Sequence, residues 1–294
     1  MNNNTSEKLA EITGRIIAEG SRGMAYHSIK HGEMMPSTNA LKEIVELLRK
    51  ILFPGYFGNS SLNSQNLHYY VGVNVDKVYR TLSEQIRRGL CFNCTDEKAV
   101  SCGNCDEESG QLTLRFLSRL PEISRLLSTD VEAAYRGDPA ARNHGEVIFC
   151  YPAIKAMTNY RIAHELLKLG VPLIPRIITE MAHSETGIDI HPGARIGQYF
   201  TIDHGTGVVI GETTIIGNNV KIYQGVTLGA KSFPTDENGN PIKGIDRHPV
   251  VEDNVIIYAE ATILGRVTIG KDTTIGGNVW ITTDIPVGSK ILQK

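Results

Sequence analysis

Apolar residues follow two different periods along the chain. From Ser6 to about His183 they recur at the three- and four-residue spacing of helices. Leu41, Ile44, Val45 and Leu48 fall on one stripe, and Ile154, Met157, Ile162, Leu166 and Leu167 form another, within Tyr151 to Leu169. Gly170 follows as a helix terminator, and Pro172 and Pro175 punctuate the next segment. Thr129-Asp-Val-Glu132 has the pattern of a capping box and predicts a helix start. Gly58 to Ser64 reads as loop, and Cys150, within Val147-Ile-Phe-Cys150, as core.

After Gly187 the period becomes six. Branched apolar residues stand at Ile190, Ile196 and Ile202, slip by two, and resume at Ile210, Ile216, Ile222 and Leu228. An interruption from Ala230 to Val250 follows, and the series then runs Val251, Ile257, Ile263, Ile269, Ile275 and Ile281. Six residues suit one short strand plus a turn, and three such units close a triangular coil of about 18 residues. A unit this small cannot bury its apolar side alone, so the coils must stack. A β-sandwich would not hold one period over six consecutive units. The expected fold is α+β: an N-terminal α-helical domain over 1–186, then a C-terminal left-handed parallel β-helix of hexapeptide repeats over 187–294. The interruption, rich in Pro, Gly, Asn and Asp, is a loop extruded over 230–250.

Composition narrows the function. The 294 residues are 41% hydrophobic and 21% charged, which excludes wholesale disorder. Thirty Lys and Arg against 32 Asp and Glu leave a formal charge of −2, so no global basic field would hold nucleic acid or an anionic membrane. No apolar run reaches the ~18 residues needed to span a bilayer, and the polar N-terminus lacks a signal-peptide stretch. A cytoplasmic location is expected.

The candidate chemistry lies where the repeat is interrupted: Asp189-Ile-His-Pro192, Asp203-His-Gly-Thr-Gly207, and Asp246-Arg-His-Pro249. Asp189 and His204 are 15 residues apart, slightly less than one circuit, which predicts that they lie close together. A carboxylate beside an imidazole fixes its tautomer and raises its basicity, fitting it to take a proton from a hydroxyl. Arg247 offers a planar fork for a carboxylate. A lone surface histidine is most often a turn residue; several His and Asp with one Arg, all at breaks in one repeat, are less readily explained that way.

These segments resemble the bacterial serine O-acetyltransferases, which are hexapeptide-repeat acyltransferases. The resemblance rests on Asp189-Ile-His-Pro, Ile202-Asp-His-Gly-Thr-Gly, Val209-Ile-Gly-Glu-Thr213, Gly225-Val-Thr-Leu-Gly229 and Asp246-Arg-His-Pro249. Arg136-Gly-Asp-Pro-Ala140 and Tyr160-Arg-Ile-Ala-His164 add to it, so that it covers about residues 128–285. It implies transfer of acetyl from acetyl-CoA, as co-substrate, to the hydroxyl of L-serine, giving the precursor of cysteine. Carried over, His204 would be the general base with Asp189 as partner. Asp138 and Asp203 would bind the serine ammonium, and Arg247 and His248 its carboxylate. Acetyl-CoA would lie between neighbouring β-helices near Ala230, Ala259 and Gly277, which implies a homotrimer, or a hexamer made of two trimers. The loop before Asp246 is longer than in the enterobacterial members. The family's usual isoleucine-ended tail, which docks on O-acetylserine sulfhydrylase, is replaced by Ile285-Pro-Val-Gly-Ser-Lys-Ile-Leu-Gln-Lys294, which weighs against that partner.

Within 91–105, Cys91, Cys94, Cys102 and Cys105 form two CxxC pairs, which suit a structural zinc, a reduced loop or a disulfide pair. Competing functions are a hexapeptide O-acyltransferase acting on another hydroxy amino acid or a sugar, a zinc lyase of the γ-carbonic anhydrase type using His191, His204 and His248, and a non-enzymatic scaffold. Paired charges at Asp138, Asp203 and Arg247 argue against a sugar. His204 has no close second histidine on its coil, which argues against the lyase.

Overall fold

The computed structural model describes residues 3–22, 34–58, 61–94 and 103–293. Among the described residues eight helices come first: α1 (Asn3–Arg22), α2 (Thr38–Leu52), α3 (Leu67–Asn93), α4 (Gly103–Leu117), α5 (Leu120–Gly137), α6 (His144–Cys150), α7 (Pro152–Lys168) and α8 (Ile174–Thr186). The stripe Leu41, Ile44, Val45 and Leu48 is the buried face of α2. Ser37 caps that helix by accepting from the Ala40 amide. None of the described helices is long and apolar enough to cross a membrane.

Two local expectations fail in this half. Thr129 does not open a helix: α5 runs through it, and its hydroxyl bonds back to the Leu126 carbonyl. Asp130, read as part of the same capping box, is fully buried and paired with Arg161. Cys150 is exposed at the end of α6, because only Val147 of that short helix is buried.

Gly187, at φ +69, takes the left-handed position that ends α8 and turns the chain into the repeat. Fourteen short strands follow, all pairing in parallel, in a β-helix of about five turns. Sheet one stacks β1 (Asp189–Ile190), β4 (Val209–Ile210), β7 (Thr227–Gly229), β10 (Thr262–Leu264) and β13 (Trp280–Ile281). Sheet two stacks β2 (Arg195–Ile196), β5 (Ile215–Ile216), β8 (Val250–Val251) and β11 (Thr268–Ile269). Sheet three stacks β3 (Thr201–Asp203), β6 (Lys221–Tyr223), β9 (Ile256–Ile257), β12 (Thr274–Ile275) and β14 (Lys290–Ile291).

The six-residue series is the register itself. Ile190, Ile210, Leu228, Ile263 and Ile281 are successive partners in sheet one; Ile196, Ile216, Val251 and Ile269 in sheet two; Ile202, Ile222, Ile257 and Ile275 in sheet three. Their side chains fill the interior of the prism. The two-residue slip lies on the edge where sheet three turns into sheet one, so the first circuit takes 20 residues, from Asp189 to its partner Val209. The long interruption lies on the edge between sheets one and two, as an exposed hairpin with an antiparallel bridge from Thr235 to Pro241.

Helix α7 carries the helical half onto the first coil. The Tyr160 hydroxyl donates to the Ala194 carbonyl at 2.6 Å and accepts from the Ile196 amide at 3.2 Å. Arg161 bonds Asp130 through two nitrogens at 2.6 and 2.8 Å and reaches the Gly197 carbonyl, while Asp130 also accepts from the Phe200 amide. His164 Nδ1 donates to the Pro192 carbonyl at 2.8 Å.

Candidate active site

The polar residues collect on two edges of the prism. On the three–one edge, β3 ends in Asp203 and the slip supplies His204-Gly-Thr-Gly207. His204 sits at φ +58, in the left-handed backbone region that a histidine seldom adopts. Its side chain is 78% exposed, and its nearest ionic neighbour is Asp203, 3.8 Å from Nε2. Gly205 packs directly on Ile188 of the strand start beneath, where an added Cβ would lie 2.5 Å from Ile188 Cδ1.

Asp138, which caps the C-terminus of α5, joins this edge. It accepts from the Ala140 amide at 2.8 Å and takes a short hydrogen bond from the Tyr151 hydroxyl. That hydroxyl bond, followed by the amide, lowers the Asp138 pKa, and the Tyr151 pKa is pushed up to about 12 by the same bond. Asp138, Tyr151, Asp203 and Lys221 line one small cavity between α5 and the coils. Lys221 reaches Asp203 at 2.9 Å and the Gly137 carbonyl at 2.7 Å, above the Tyr223 ring. Burial opposes the ammonium, but the bonds to Asp203 and Tyr223 outweigh it and raise its pKa.

On the one–two edge stand His191, Glu212, Thr213, Arg247 and His248. Arg247 Nη2 lies 2.6 Å from Glu212. His191 Nδ1 accepts from the Gly193 amide at 3.0 Å, which leaves its ring proton for Nε2. The His248 ring packs against Gly211, where a Cβ would sit 2.1 Å from it. Burial, then the Arg247 charge, lowers the His248 pKa to about 4, so the ring is neutral near pH 7. Arg266 braces this edge, 3.2 Å from Asp246 and 2.8 Å from the Thr213 carbonyl.

Of the residues expected to act together, Asp138, Asp203 and His204 share one edge, and Arg247 and His248 share the other. Sheet one separates the two groups, and among the described residues no hydrogen bond or ion pair joins them. Among the described residues no hydrogen bond or ion pair joins Asp189 to the His204 side chain. The Asp189 carboxylate converges instead with Glu180 and His183, the three ligand atoms lying within 4.8 Å of one another. Ala259 and Gly277 stack on the three–one edge, with the Ala259 carbonyl 3.0 Å from a Cβ built on Gly277; Ala230 begins the hairpin on the one–two edge.

Cys102 lies outside the described residues. Cys91 and Cys105 are buried and Cys94 partly so. Lys221 and Tyr151 were not singled out from the sequence, and Glu212 and Thr213 entered only within the run Val209-Ile-Gly-Glu-Thr213, with no role assigned. Lys221 could have been noticed as a charge at the outward slot where Thr201, Ile256 and Thr274 stand.

The bacterial transferase hexapeptide (six repeats) signature matches residues 248–283. The plasmid serine acetyltransferase of Synechococcus elongatus is 54% identical over 261 residues, covering 88% of this chain and 82% of that relative. The Helicobacter pylori serine acetyltransferase is 46% identical over 163 residues, covering 55% of this chain and 90% of the relative. Among solved structures, serine acetyltransferase 1 of Entamoeba histolytica in complex with L-cysteine gives a TM-score of 0.73 at 37% identity, covering 88% of this chain and 87% of that one. The soybean enzyme complexed with serine gives 0.55 at 27% identity, covering 88% and 98%.

Proposed function

The chain belongs to the serine acetyltransferase family, and we propose that it performs the family's reaction at sites shared between subunits. It transfers the acetyl group of acetyl-CoA to the hydroxyl of L-serine, giving O-acetyl-L-serine. For that reaction we divide it into a helical part, 1–186, and a β-helix, 187–294.

The carrying observation is the separation of charge between two edges. L-Serine presents an ammonium, a carboxylate and a hydroxyl. Two carboxylates, Asp138 and Asp203, flank His204 on one edge, and a guanidinium, Arg247, stands beside His248 on the other. A second copy packed side by side, its one–two edge against the first copy's three–one edge, completes a site for all three groups. The same groove runs past Ala259 and Gly277 of one copy and Ala230 of its neighbour, and small residues there let the thin pantetheine arm approach the backbone. A trimer closes three such grooves, and two trimers make a hexamer.

In this reading His204 Nε2 takes the proton of the serine hydroxyl as the oxygen attacks the thioester carbon. The C–S bond then breaks, and the imidazolium returns its proton to the departing CoA thiolate. Asp189, at the start of the first strand of the same edge, is the partner that orients the imidazole. Asp138 and Asp203 hold the ammonium, with Lys221 moderating their combined charge.

The test measures thioester loss from acetyl-CoA with L-serine, beside homoserine, threonine and a galactoside. Activity with L-serine, lost in both His204→Ala and Arg247→Ala, is expected. Unfolding and refolding the two variants together should restore activity, to about one quarter of wild type if copies mix at random in a ring. Full activity in His204→Ala, or no recovery on mixing, would sink this reading.

A further inference from the structure

Arg247 and His248 leave an exposed hairpin, residues 231–244 being exposed throughout, and strand pairing resumes only at Val250. Their placement therefore comes from side contacts, and most of these converge on Thr213. Its hydroxyl accepts from the Arg247 amide at 2.9 Å and from the His248 amide at 3.1 Å. The same hydroxyl lies 2.9 Å from His248 Nδ1, and the Thr213 amide points at that nitrogen from 3.1 Å. Its carbonyl accepts from Arg266 Nη1, which also reaches the His248 carbonyl at 3.1 Å.

A backbone N–H can only donate, so His248 Nδ1 is an acceptor and the ring proton sits on Nε2. The Thr213 hydroxyl already accepts two N–H groups, which leaves its own proton for Nδ1. Each hydrogen-bonding group of Thr213 thus acts on the Arg247–His248 segment or its brace. Nε2, the donor end of the ring, makes no hydrogen bond among the described residues.

We propose that Thr213 is a positioning residue for carboxylate recognition: it seats Arg247 and His248 on the second coil and fixes His248 as an Nε2–H donor rather than a base. The proposal rests on the reading that Arg247 and His248 hold the substrate carboxylate. In that geometry the carboxylate meets the guanidinium fork and one neutral N–H, a set that binds an anion without a second titrating cation. Proton transfer is then left to His204 on the opposite edge.

The experiment compares Thr213→Val, which removes the hydroxyl at nearly constant shape, with Thr213→Ser, which keeps it. Arg247→Lys and His248→Asn run beside them. The readouts are KM for L-serine, KM for acetyl-CoA, kcat, melting temperature and the pH dependence of kcat/KM for serine. Thr213→Val should raise the serine KM at least about tenfold, the size of one lost hydrogen bond to a binding group. It should leave kcat and the acetyl-CoA KM within about twofold, and Thr213→Ser should recover most of the loss. The acid limb of the kcat/KM profile should keep its shape in both variants, because the Thr213 backbone amide still faces Nδ1. An unchanged serine KM in Thr213→Val, with Arg247→Lys and His248→Asn both raising it, would overturn the proposal alone. Equal losses for both substrates with a lower melting temperature and no rescue by Ser would reduce Thr213 to a structural residue. If Arg247→Lys and His248→Asn also leave the serine KM unchanged, the carboxylate reading fails and the proposal falls with it.

Discussion

Lys221 Nζ lies 2.9 Å from the Asp203 carboxylate, one coil away, and holds the Gly137 carbonyl at 2.7 Å with the same ammonium. A resident cation thus occupies the carboxylate proposed to meet the serine ammonium. Lys221→Met keeps the stem and removes the charge. The expected result is a lower serine KM, by about threefold, a less stable ligand-free protein, and a larger rise in melting temperature on adding serine, since a partly buried carboxylate has lost its partner. An unchanged serine KM would mean that Asp203 does not meet the ammonium.

Gly211→Ala tests the one–two edge from the opposite side to Thr213. The new methyl would fall 2.1 Å from the His248 ring and must push it aside. The serine KM should rise about tenfold or more with little change in the acetyl-CoA KM, the cost of one displaced hydrogen-bond donor. A parallel rise in both would place His248 outside the carboxylate site.

The buried Asp130–Arg161 pair, with its bonds to Phe200 and Gly197, ties α5 and α7 to the first coil. Asp130→Ala leaves the guanidinium buried without its counter-ion. Denaturant titration should show a loss of about 3–5 kcal/mol. Removing Glu122 from its exposed pair with Arg125 should cost under about 1 kcal/mol. Comparable losses from the two would mean that the strut contributes no more than a surface pair.

Burial is the first cause that lowers the pKa of His164, His191 and His248. Each is held neutral in the folded chain, whereas an unfolded histidine binds a proton below about pH 6.5. The unfolded state therefore takes up more protons as pH falls, so this stabilisation is complete above about pH 6.5 and declines towards the folded value, about 4 for His248. The urea midpoint should fall over that window, and His248→Asn should flatten the slope. An equal slope in the variant would remove His248 from the linkage.

Much of this was legible in the sequence because the repeat is strict. Each branched residue named from the period between Ile190 and Ile281 became a partner in one of three stacks, and both breaks in the period became edge insertions. The unread parts have local causes. The slip that announces His204 also lengthens the first circuit to 20 residues, which an 18-residue turn does not foresee. Lys221 occupies an ordinary outward slot, and nothing in its neighbours in sequence tells of Gly137 more than eighty residues earlier. Thr129 carries a capping pattern, but the tertiary need to bury Asp130 against Arg161 keeps α5 running through it. Thr213 looks like a turn residue, and its partners lie beyond a hairpin whose length no period encodes.

The edge that carries His204 also works as a ruler. Gln224, Ala259 and Gly277 mark successive coils along it, each about 4.8 Å from the last by strand spacing. The graduations are set by hydrogen bonding between coils and not by the side chains that project from them. A threadlike acyl carrier laid on this edge is therefore measured in whole coils: adding one beyond His204 would shift the far marks by one graduation and leave the zero where it is.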